Sequence, residues 1–451
     1  MTSVQPLEVT LPHHFTPRAY QVPPLAALDA GVKRVMLRWH RRAGKEKTLI
    51  NYTAKAMQDR VGAYFYFFPT YAQAKKAIWD GKDADGFPFV SHFPEALVKD
   101  RNSTELKITY HNGSIFQLIG TDNINLIMST NPIGCVFAEY ALQDPAAREF
   151  IRPILLENGG WAAFDFTPRG KNHAYQLHQM AVNNPNWFVS TLTVRDTKRD
   201  DGRPVISEEQ IQAERLEGVT EEMIQQEYYC SFEGVMEGAY YGKQLALAQK
   251  EGRIGHVPYE ESIGVETWWD IGVGDSTAIW FTQSVRREIR VIDYLEASGE
   301  SLSFFAKELQ AKPYVYAAHH GPHDLEVREW AQAGKDGEPK SRIEVAKSLG
   351  IAFQIVPTLS VDDGINAARA IMARCWFDQE KCARGMNALA SYHKDYDTKL
   401  KMFRSYPAHD WSSHGADAYR YFAVGHRTTS AIIPAKQGSA GRGAGQTFMA
   451  D

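Results

Sequence analysis

The sequence predicts an α/β protein built from two large domains with different sheet architectures. Three observations predict it. Over the first ~200 residues, short apolar runs alternate with helical segments, the pattern of a largely parallel sheet. From about residue 262 the pattern restarts with three closely spaced strand-like runs, which suit an antiparallel meander. Between the two lies a charged, partly helical stretch that reads as a connector.

The elements follow in order. Residues 32–37 are short and mainly apolar and predict the first strand, and 48–58 then has helical character. Residues 62–68 (GAYFYFF) form an aromatic strand-like run, followed by a helical segment over 72–79. Runs 105–110 and 114–119 flank His111-Asn112-Gly113, and an Asn-Gly pair suits a tight hairpin turn. Residues 133–137 and 160–166 are two further buried runs. The stretch from Arg195 to Arg203 is charged and loop-like. Residues 207–228 read as an acidic helix, with Ser207 as its N-cap and Glu208 and Glu209 in the first turn. In the second half, 267–270, 278–283, 288–295 and 314–318 read as strands. Residues 301–310, 342–349, 364–376 and 416–424 read as helices. The last segment, 428–451, is rich in Gly, Ser and Ala, offers no apolar face to bury, and is expected to be a disordered tail. The expected organisation is 1–200, a connector over 201–260, 261–427, and the tail 428–451.

Composition narrows the class. The 451 residues fit two large domains. Hydrophobic residues at 44% and charged residues at 23% are ordinary for a globular chain and exclude disorder over most of it. No stretch approaches the ~18–20 apolar residues of a membrane span. The N-terminus lacks the charged-then-apolar layout of a secretory signal, so a cytoplasm is the expected location. Cys135, Cys230, Cys375 and Cys382 are too few and too scattered for a disulfide framework. Cys375 and Cys382 are expected on one helix and in the core, since no second Cys/His pair stands at zinc-site spacing. The net charge of −4, from 50 Lys+Arg against 54 Asp+Glu, argues as an average against a strongly basic nucleic-acid binder. Distribution counts for more than the average: six Lys/Arg fall between Arg34 and Lys47.

Those basic residues surround Arg38-Trp-His-Arg-Arg-Ala-Gly-Lys-Glu-Lys-Thr48, which joins the first strand to the first helix. A phosphate-binding loop belongs there. Backbone N–H groups and the helix N-terminus would cradle phosphates, and Lys45, after Gly44, would reach the β/γ oxygens. Trp39 stands where the consensus has its first glycine, and Glu46 stands where a Ser/Thr would hold Mg²⁺. Thr48, two residues on, is a substitute. The alternative is a basic surface turn. Further on, 133–139 is an apolar run ending in a carboxylate, as in a Walker B element. Its Mg²⁺-ligating Asp is replaced by Ala138, while Glu139 sits where a water-activating base would. As a blander alternative, Glu139 is a strand-end residue capping the next helix. Upstream, Gln21 carries an amide able to donate and accept against an adenine edge. Residues 160–173 (GWAAFDFTPRGKNH) form a strand ending in a polar loop before a helix. Thr167, Arg169 and Asn172 are placed there for sensing a γ-phosphate, with plain helix capping by Asn172 as the alternative.

The second half offers three carboxylates. Asp270 ends the strand-like run in ETWWDIGVGD, Asp324 follows another in HHGPHD, and Asp417 lies near a helix start in SHGADAYR. A first strand, a later strand and a closing helix match an RNase H-like nuclease layout. Hard oxygen ligands suit Mg²⁺, and two ions ~3.5–4 Å apart would serve phosphodiester cleavage. Asp275, Asp293, Glu296 and Asp410 are reserve carboxylates. His319, His320, His323, His409 and His414 stand near them in sequence, as metal ligands, as proton donors, or as ordinary loop residues.

Taken in order, Gln21, RRAGKEKT, VFAEYA, FTPRGKNHAY, WWDIGVGDSTA, GPHD and HDWSSHGADAYRY resemble the large subunit of tailed-bacteriophage terminase, over about residues 15 to 425. The resemblance implies an N-terminal P-loop ATPase of ASCE type that drives double-stranded DNA into a procapsid. It also implies a C-terminal RNase H-like nuclease of RuvC/resolvase type that cuts concatemeric DNA. ATP and Mg²⁺ or Mn²⁺ are the implied cofactors. A small terminase subunit, a portal protein and a homo-oligomeric ring are the implied partners, in the cytoplasm of an infected host. Residue by residue, Lys45 resembles the Walker A lysine, Glu139 the catalytic glutamate and Thr167 to Asn172 the coupling motif. Asp270, Asp324 and Asp417 resemble the nuclease metal ligands, and Arg41 and Arg42 stand to touch phosphate. Residues 126–131 lack the arginine that many relatives carry, which leaves Arg148, Arg152 and Arg169 as finger candidates. Because Glu46 and Ala138 remove the usual Mg²⁺ ligands, a metal-dependent nuclease with a non-hydrolysing ATPase domain is the alternative. A DNA- or capsid-docking scaffold is the third reading.

Overall fold

The computed structural model describes residues 10–11, 13–122, 130–233, 238–272, 276–326, 328–329, 340–397 and 402–426. The expected tail 428–451, Asp275, residues 126–129 and the side chain of Asp324 lie outside the described residues. The chain divides into two compact units, Met1–Lys243 with Asn387–Ser413, and Gln244–Met386 with His414–Asp451.

The first unit runs α1 (Val22–Asp29), β1 (Arg34–Trp39), α2 (Lys45–Asp59), β2 (Ala63–Phe68), α3 (Tyr71–Ala74), β3 (Val98–Asn102), β4 (Lys107–Tyr110), β5 (Ile115–Gly120), β6 (Pro132–Ala138), α4 (Ala146–Glu157), β7 (Trp161–Phe166), α5 (His173–Val182), β8 (Trp187–Leu192), α6 (Glu208–Leu216) and α7 (Glu221–Glu227). Its strands form one sheet in the order β3-β4-β5-β2-β6-β7-β1-β8. Pairing is parallel from β5 through β8 and antiparallel at β3–β4 and β4–β5. The β4–β5 turn falls at the expected Asn112-Gly113, with Gly113 in the left-handed region. Successive side chains of a strand point to opposite faces, and both faces of this sheet are covered. Leu37 and Trp39 of β1, Tyr66 of β2, Ala138 of β6 and Ala163 of β7 pack with Leu49, Ile50 and Met57 of α2. Met36, Phe67, Phe137 and Phe164 face the other way, against Ile151 and Leu155 of α4 and Leu177 of α5. Double burial explains the near-continuous apolar runs of these strands. One strand, β7, separates β1 from β6, the order of an ASCE-type P-loop fold. The acidic stretch expected as one helix is two: Gly218, at φ 92°, closes α6, and Thr220 caps α7 by accepting from the Met223 N–H. Ser207 caps α6 in a capping box with Gln210.

The second unit continues with α8 (Gly242–Lys250), which spans the junction, then β9 (Ile254–Gly255), β10 (Val265–Ile271), β11 (Ser276–Val285), β12 (Glu288–Ser298), α9 (Leu302–Ala311), β13 (Tyr316–Gly321), β14 (Arg328–Glu329), β15 (Lys340–Ser341), α10 (Arg342–Ser348), β16 (Phe353–Ile355), α11 (Val361–Met372), β17 (Cys375–Asp378) and α12 (Ala383–Ser391). A hairpin of β18 (Lys394–Asp397) and β19 (Met402–Pro407) belongs to the first unit, and α13 (Ser413–Gly425) follows it. The main sheet has the order β16-β13-β10-β11-β12-β17-β9. The three strands β10, β11 and β12 form the expected antiparallel meander, and β13 and β16 extend it in parallel beyond β10. The order β12-β11-β10-β13-β16 is that of an RNase H-like fold. One expectation is corrected. The predicted helix 364–376 stops at Met372, and Cys375 opens β17, where the run Cys-Trp-Phe-Asp pairs with β12. Cys375 and Cys382 therefore do not share a helix, although all four cysteines are buried and unpaired.

Candidate nucleotide site and candidate nuclease centre

Strand β1 ends at Trp39, and after five intervening residues α2 begins at Lys45, so the helix N-terminus opens at the C-terminal edge of the sheet. Arg42 and Gly44 adopt left-handed conformations, at φ 70° and 83°. A Cβ on Gly44 would lie 3.0 Å from Nε2 of Gln21, so the position requires glycine on two counts. Gln21 is buried against the loop: its Nε2 donates to Oγ1 of Thr48 at 2.8 Å and to the Gly44 carbonyl at 3.3 Å. Its Oε1 accepts from the Arg18 N–H at 2.9 Å. Thr48 in turn donates to the Gly44 carbonyl at 2.9 Å. Its hydroxyl, fully buried, thus serves as a clasp on the helix start. His40 is also buried, with Nε2 2.7 Å from Oγ1 of Thr197, and burial pushes its pKa down to about 4. Arg41 and Arg42 are exposed at the mouth of the loop, Arg41 3.6 Å from Glu227.

Lys45 is buried and donates to the Trp39 carbonyl at 3.3 Å and to Oγ1 of Thr167 at 3.2 Å. Burial alone would lower its pKa, but the nearby carboxylates Glu139, Glu46 and Asp165 outweigh that, and the net shift is upward. Glu139 follows β6 in a left-handed conformation, φ 52°, the kind of backbone strain a non-glycine residue keeps at functional sites. Asp165, on β7, has no exposure at all, and neither of its carboxylate oxygens has a hydrogen-bond partner. Burial first, then Glu46 and Glu139, push its carboxyl well above the usual range, with Lys45 opposing and the Glu139 N–H close enough to favour the anion. Glu46 is raised in the same way by burial and Glu139. Asp165 escapes sequence reasoning, although a lone carboxylate within the apolar run WAAFDF is itself a signal. Hard carboxylate oxygens beside the buried Lys45 fit a divalent cation in kind.

The loop after β7 ties these parts together. Thr167 also hydrogen-bonds the Trp39 carbonyl, at 3.4 Å. Asn172 caps α5 by accepting from the Ala174 N–H, as the capping reading expects, and donates to the Ala141 carbonyl at 2.8 Å. His173 Nε2 lies 2.8 Å from the Tyr140 carbonyl. The turn that carries Glu139 is therefore fastened to the loop that touches Lys45. Arg169 pairs with Glu227 of α7, a buried carboxylate that Arg41 also faces. This internal pair occupies one of the three arginine-finger candidates. Arg148 and Arg152 sit beside Glu149. Glu227 is a second residue that sequence reasoning missed.

In the second unit Asp270 stands on the central strand β10 and accepts from Nδ1 of His414 at 3.3 Å. His414 lies in the first turn of α13, and Asp417, three residues later, shares its side of the helix and meets Arg420 at 3.2 Å. The strand and the closing helix thus bring Asp270 and the Asp417 turn together. Asp324 falls in a short 3₁₀ turn, His323–Glu326, directly after β13. Among the described residues no group of three His, Cys, Asp or Glu side chains is gathered as a metal cluster. Two carboxylates as hard oxygen donors fit Mg²⁺ or Mn²⁺ in kind. The reserve carboxylates have other work: Asp293 binds Lys312 and Tyr314, Glu296 binds Arg384 and Tyr294, and Asp410 caps Ser412. Of the histidines, His319 bonds Thr267 and His320 stacks on Trp268 with ring centres 3.8 Å apart. Burial pushes both down to about 4, which keeps them neutral.

No family model and no curated protein matches the chain. Solved structures do. The chain is similar to phage large terminases. The large terminase of a thermophilic bacteriophage, solved in complex with ADP, is 15% identical with a TM-score of 0.39, covering 90% of this chain and 98% of that one. The ATPase domain of the Thermus phage P74-26 large terminase is 17% identical with a TM-score of 0.40, covering 50% of this chain and all 100% of that one. The nuclease domain of the P22 large terminase is 14% identical with a TM-score of 0.30, covering 38% of this chain and 84% of that one.

Proposed function

We propose that the chain is a large terminase subunit: an ATP-driven motor that moves double-stranded viral DNA into a procapsid and a metal-dependent endonuclease that cuts concatemeric DNA. One observation carries the reading. A buried P-loop lysine lies beside a strained strand-end glutamate in one unit, and in the other an aspartate on the central strand of an RNase H-ordered sheet meets a closing helix. The proposed domains are an ATPase over 1–200, a connector over 201–260 and a nuclease over 261–427.

In the motor, Gly44 and the α2 N-terminus receive the phosphates, and Lys45 neutralises their terminal oxygens. Glu139 accepts the proton of the attacking water. Thr167 and Asn172 report the state of Lys45 to the Glu139 turn and so couple hydrolysis to movement. In the nuclease, Asp270, Asp324 and Asp417 hold the cation or cations, and His414 orients Asp270. A bound divalent cation supplies Lewis-acid polarisation of phosphate oxygens at each site. DNA, a small terminase subunit, a portal and a ring of copies are the proposed partners, in the host cytoplasm.

The test measures DNA-stimulated ATP turnover and plasmid cleavage in Mg²⁺ or Mn²⁺, in the wild type, Lys45→Ala and Asp270→Ala. Lys45→Ala should lose turnover and keep cleavage, and Asp270→Ala the reverse. A second reading, a nuclease whose ATPase no longer hydrolyses, is favoured by the engaged Thr48 hydroxyl and by Ala138. Robust DNA-stimulated turnover by the wild type would eliminate it. A chain that neither cleaves DNA nor turns over ATP would sink both.

A further inference from the structure

The missing cation-facing carboxylate at position 138 has a counterpart one strand away. Ala138 of β6 pairs in parallel register with Asp165 of β7, and Asp165 also pairs with Leu37 of β1. Register partners in neighbouring strands point to the same face of a sheet. Ala138, Leu37, Tyr66 and Ala163 all lie on the face covered by α2, and Asp165, two residues beyond Ala163, shares it. Asp165 therefore sits under the first turn of α2, between the strand that feeds the phosphate loop and the strand that presents Glu139. We propose that Asp165 serves as the carboxylate that faces the nucleotide-bound divalent cation, in place of the aspartate that Ala138 replaces. The proposal rests on the ATPase reading of the first unit.

Three observations support it. A fully buried carboxylate whose oxygens make no well-formed hydrogen bond, with the Glu139 N–H near but not aligned, is costly, and a chain keeps one where something binds it. The Tyr66 hydroxyl, on the same face, is likewise buried without a partner. Substitution is exclusive as well: with aspartate at both 138 and 165, two carboxylates would lie side by side on neighbouring strands, and only one position carries it. Third, Thr48, the other residue expected to supply an oxygen, has its hydroxyl held by Gly44 and Gln21, which leaves it one lone pair.

Charge balance points the same way. Lys45 is set against three carboxylates, Glu46, Glu139 and Asp165. A triphosphate entering this pocket draws Lys45 to itself and adds negative charge beside them. A cation entering with it offsets that added charge. ATP binding here should therefore depend strongly on the divalent ion, and Asp165 should carry that dependence.

The experiment measures the equilibrium affinity of the full chain for a fluorescent ATP analogue, in Mg²⁺ and in EDTA. For the wild type, Mg²⁺ should tighten binding by about tenfold or more. Asp165→Asn should bind the analogue in EDTA at least as tightly as wild type, and its gain from Mg²⁺ should shrink to below about twofold. Moving the carboxylate back, in Asp165→Ala with Ala138→Asp, should restore the gain, and this variant decides the matter if Asp165→Asn does not fold. A full Mg²⁺ gain in Asp165→Asn, or a swap variant with none, overturns the proposal. So does a wild type that binds the analogue equally in Mg²⁺ and EDTA. A wild type that binds no nucleotide in either condition instead overturns the ATPase reading.

Discussion

At the residue scale, the phosphate loop is held from behind by groups distant in sequence. Gln21 and Thr48, both buried, form a closed set of hydrogen bonds around the Gly44 carbonyl. Gln21→Ala leaves the Thr48 hydroxyl and that carbonyl short of a donor, and Thr48→Val takes from the Gln21 amide its nearer acceptor, the hydroxyl at 2.8 Å. Each should cost about 1–3 kcal/mol of stability and weaken nucleotide binding, because the loop is no longer fixed. Chemical denaturation, read alongside nucleotide titration, checks both. A Gln21→Ala protein that is as stable as wild type would contradict the clasp. This pairing is not legible in the sequence. The sequence shows a glutamine able to read an adenine edge and a threonine able to hold Mg²⁺, but not that the two face each other across 27 residues. Asp165 makes the converse point. Its chemistry is written in the sequence as a charge inside an apolar strand, and what is missing there is the register that sets it beside Ala138.

At the element scale, the legible strands are those buried on both faces. Strands β1, β2, β6 and β7 give continuous apolar runs, because helices cover the sheet above and below. Strand β8, at the sheet edge and half-buried along its length, carries Ser190 and Thr191 and gives no such run. The junction between α11 and β17 reads as helix in the sequence because the apolar spacing of α11 continues into Cys375 and Trp376. Backbone pairing with β12 decides otherwise. The loop between β7 and α5 is the element where mechanism and capping meet. Asn172→Ala removes the cap of α5, worth about 1 kcal/mol, and also the bond to the Ala141 carbonyl. Nucleotide affinity should hold within about threefold, a change below ~1 kcal/mol, while ATP turnover falls by about tenfold or more. Asn172→Asp keeps the cap acceptor but not the donor, so it should recover the stability and not the turnover. If Asn172→Asp turned ATP over like wild type, the tie to the Glu139 turn would have no part in the chemistry.

At the scale of the whole molecule, the near-neutral charge conceals separate local balances, and their titration sets how stability responds to pH. Glu227 links α7 to the phosphate loop through Arg41 and to the loop after β7 through Arg169. Burial would raise its pKa, but the two guanidinium groups outweigh burial and hold it below the ordinary value of 4.5. A carboxylate whose folded pKa is depressed contributes stability above its unfolded value and loses it as the pH falls through the folded one. The pair should therefore stabilise the first unit fully at neutral pH and fade below about pH 4.5. Glu227→Gln removes the charge, leaves the largely buried Arg169 without its partner, and should cost about 1–3 kcal/mol at pH 7. Melting midpoints measured from about pH 3.5 to 8 should show the variant below wild type at neutral pH, with the two curves converging in acid. Parallel curves over the whole range would mean that Glu227 acts through packing alone. The same titration bears on nucleotide binding, because Arg41 stands both at the mouth of the phosphate loop and against Glu227. Nucleotide phosphates and Glu227 draw on one guanidinium, so bound ATP should lower the stability difference between wild type and Glu227→Gln at about pH 7.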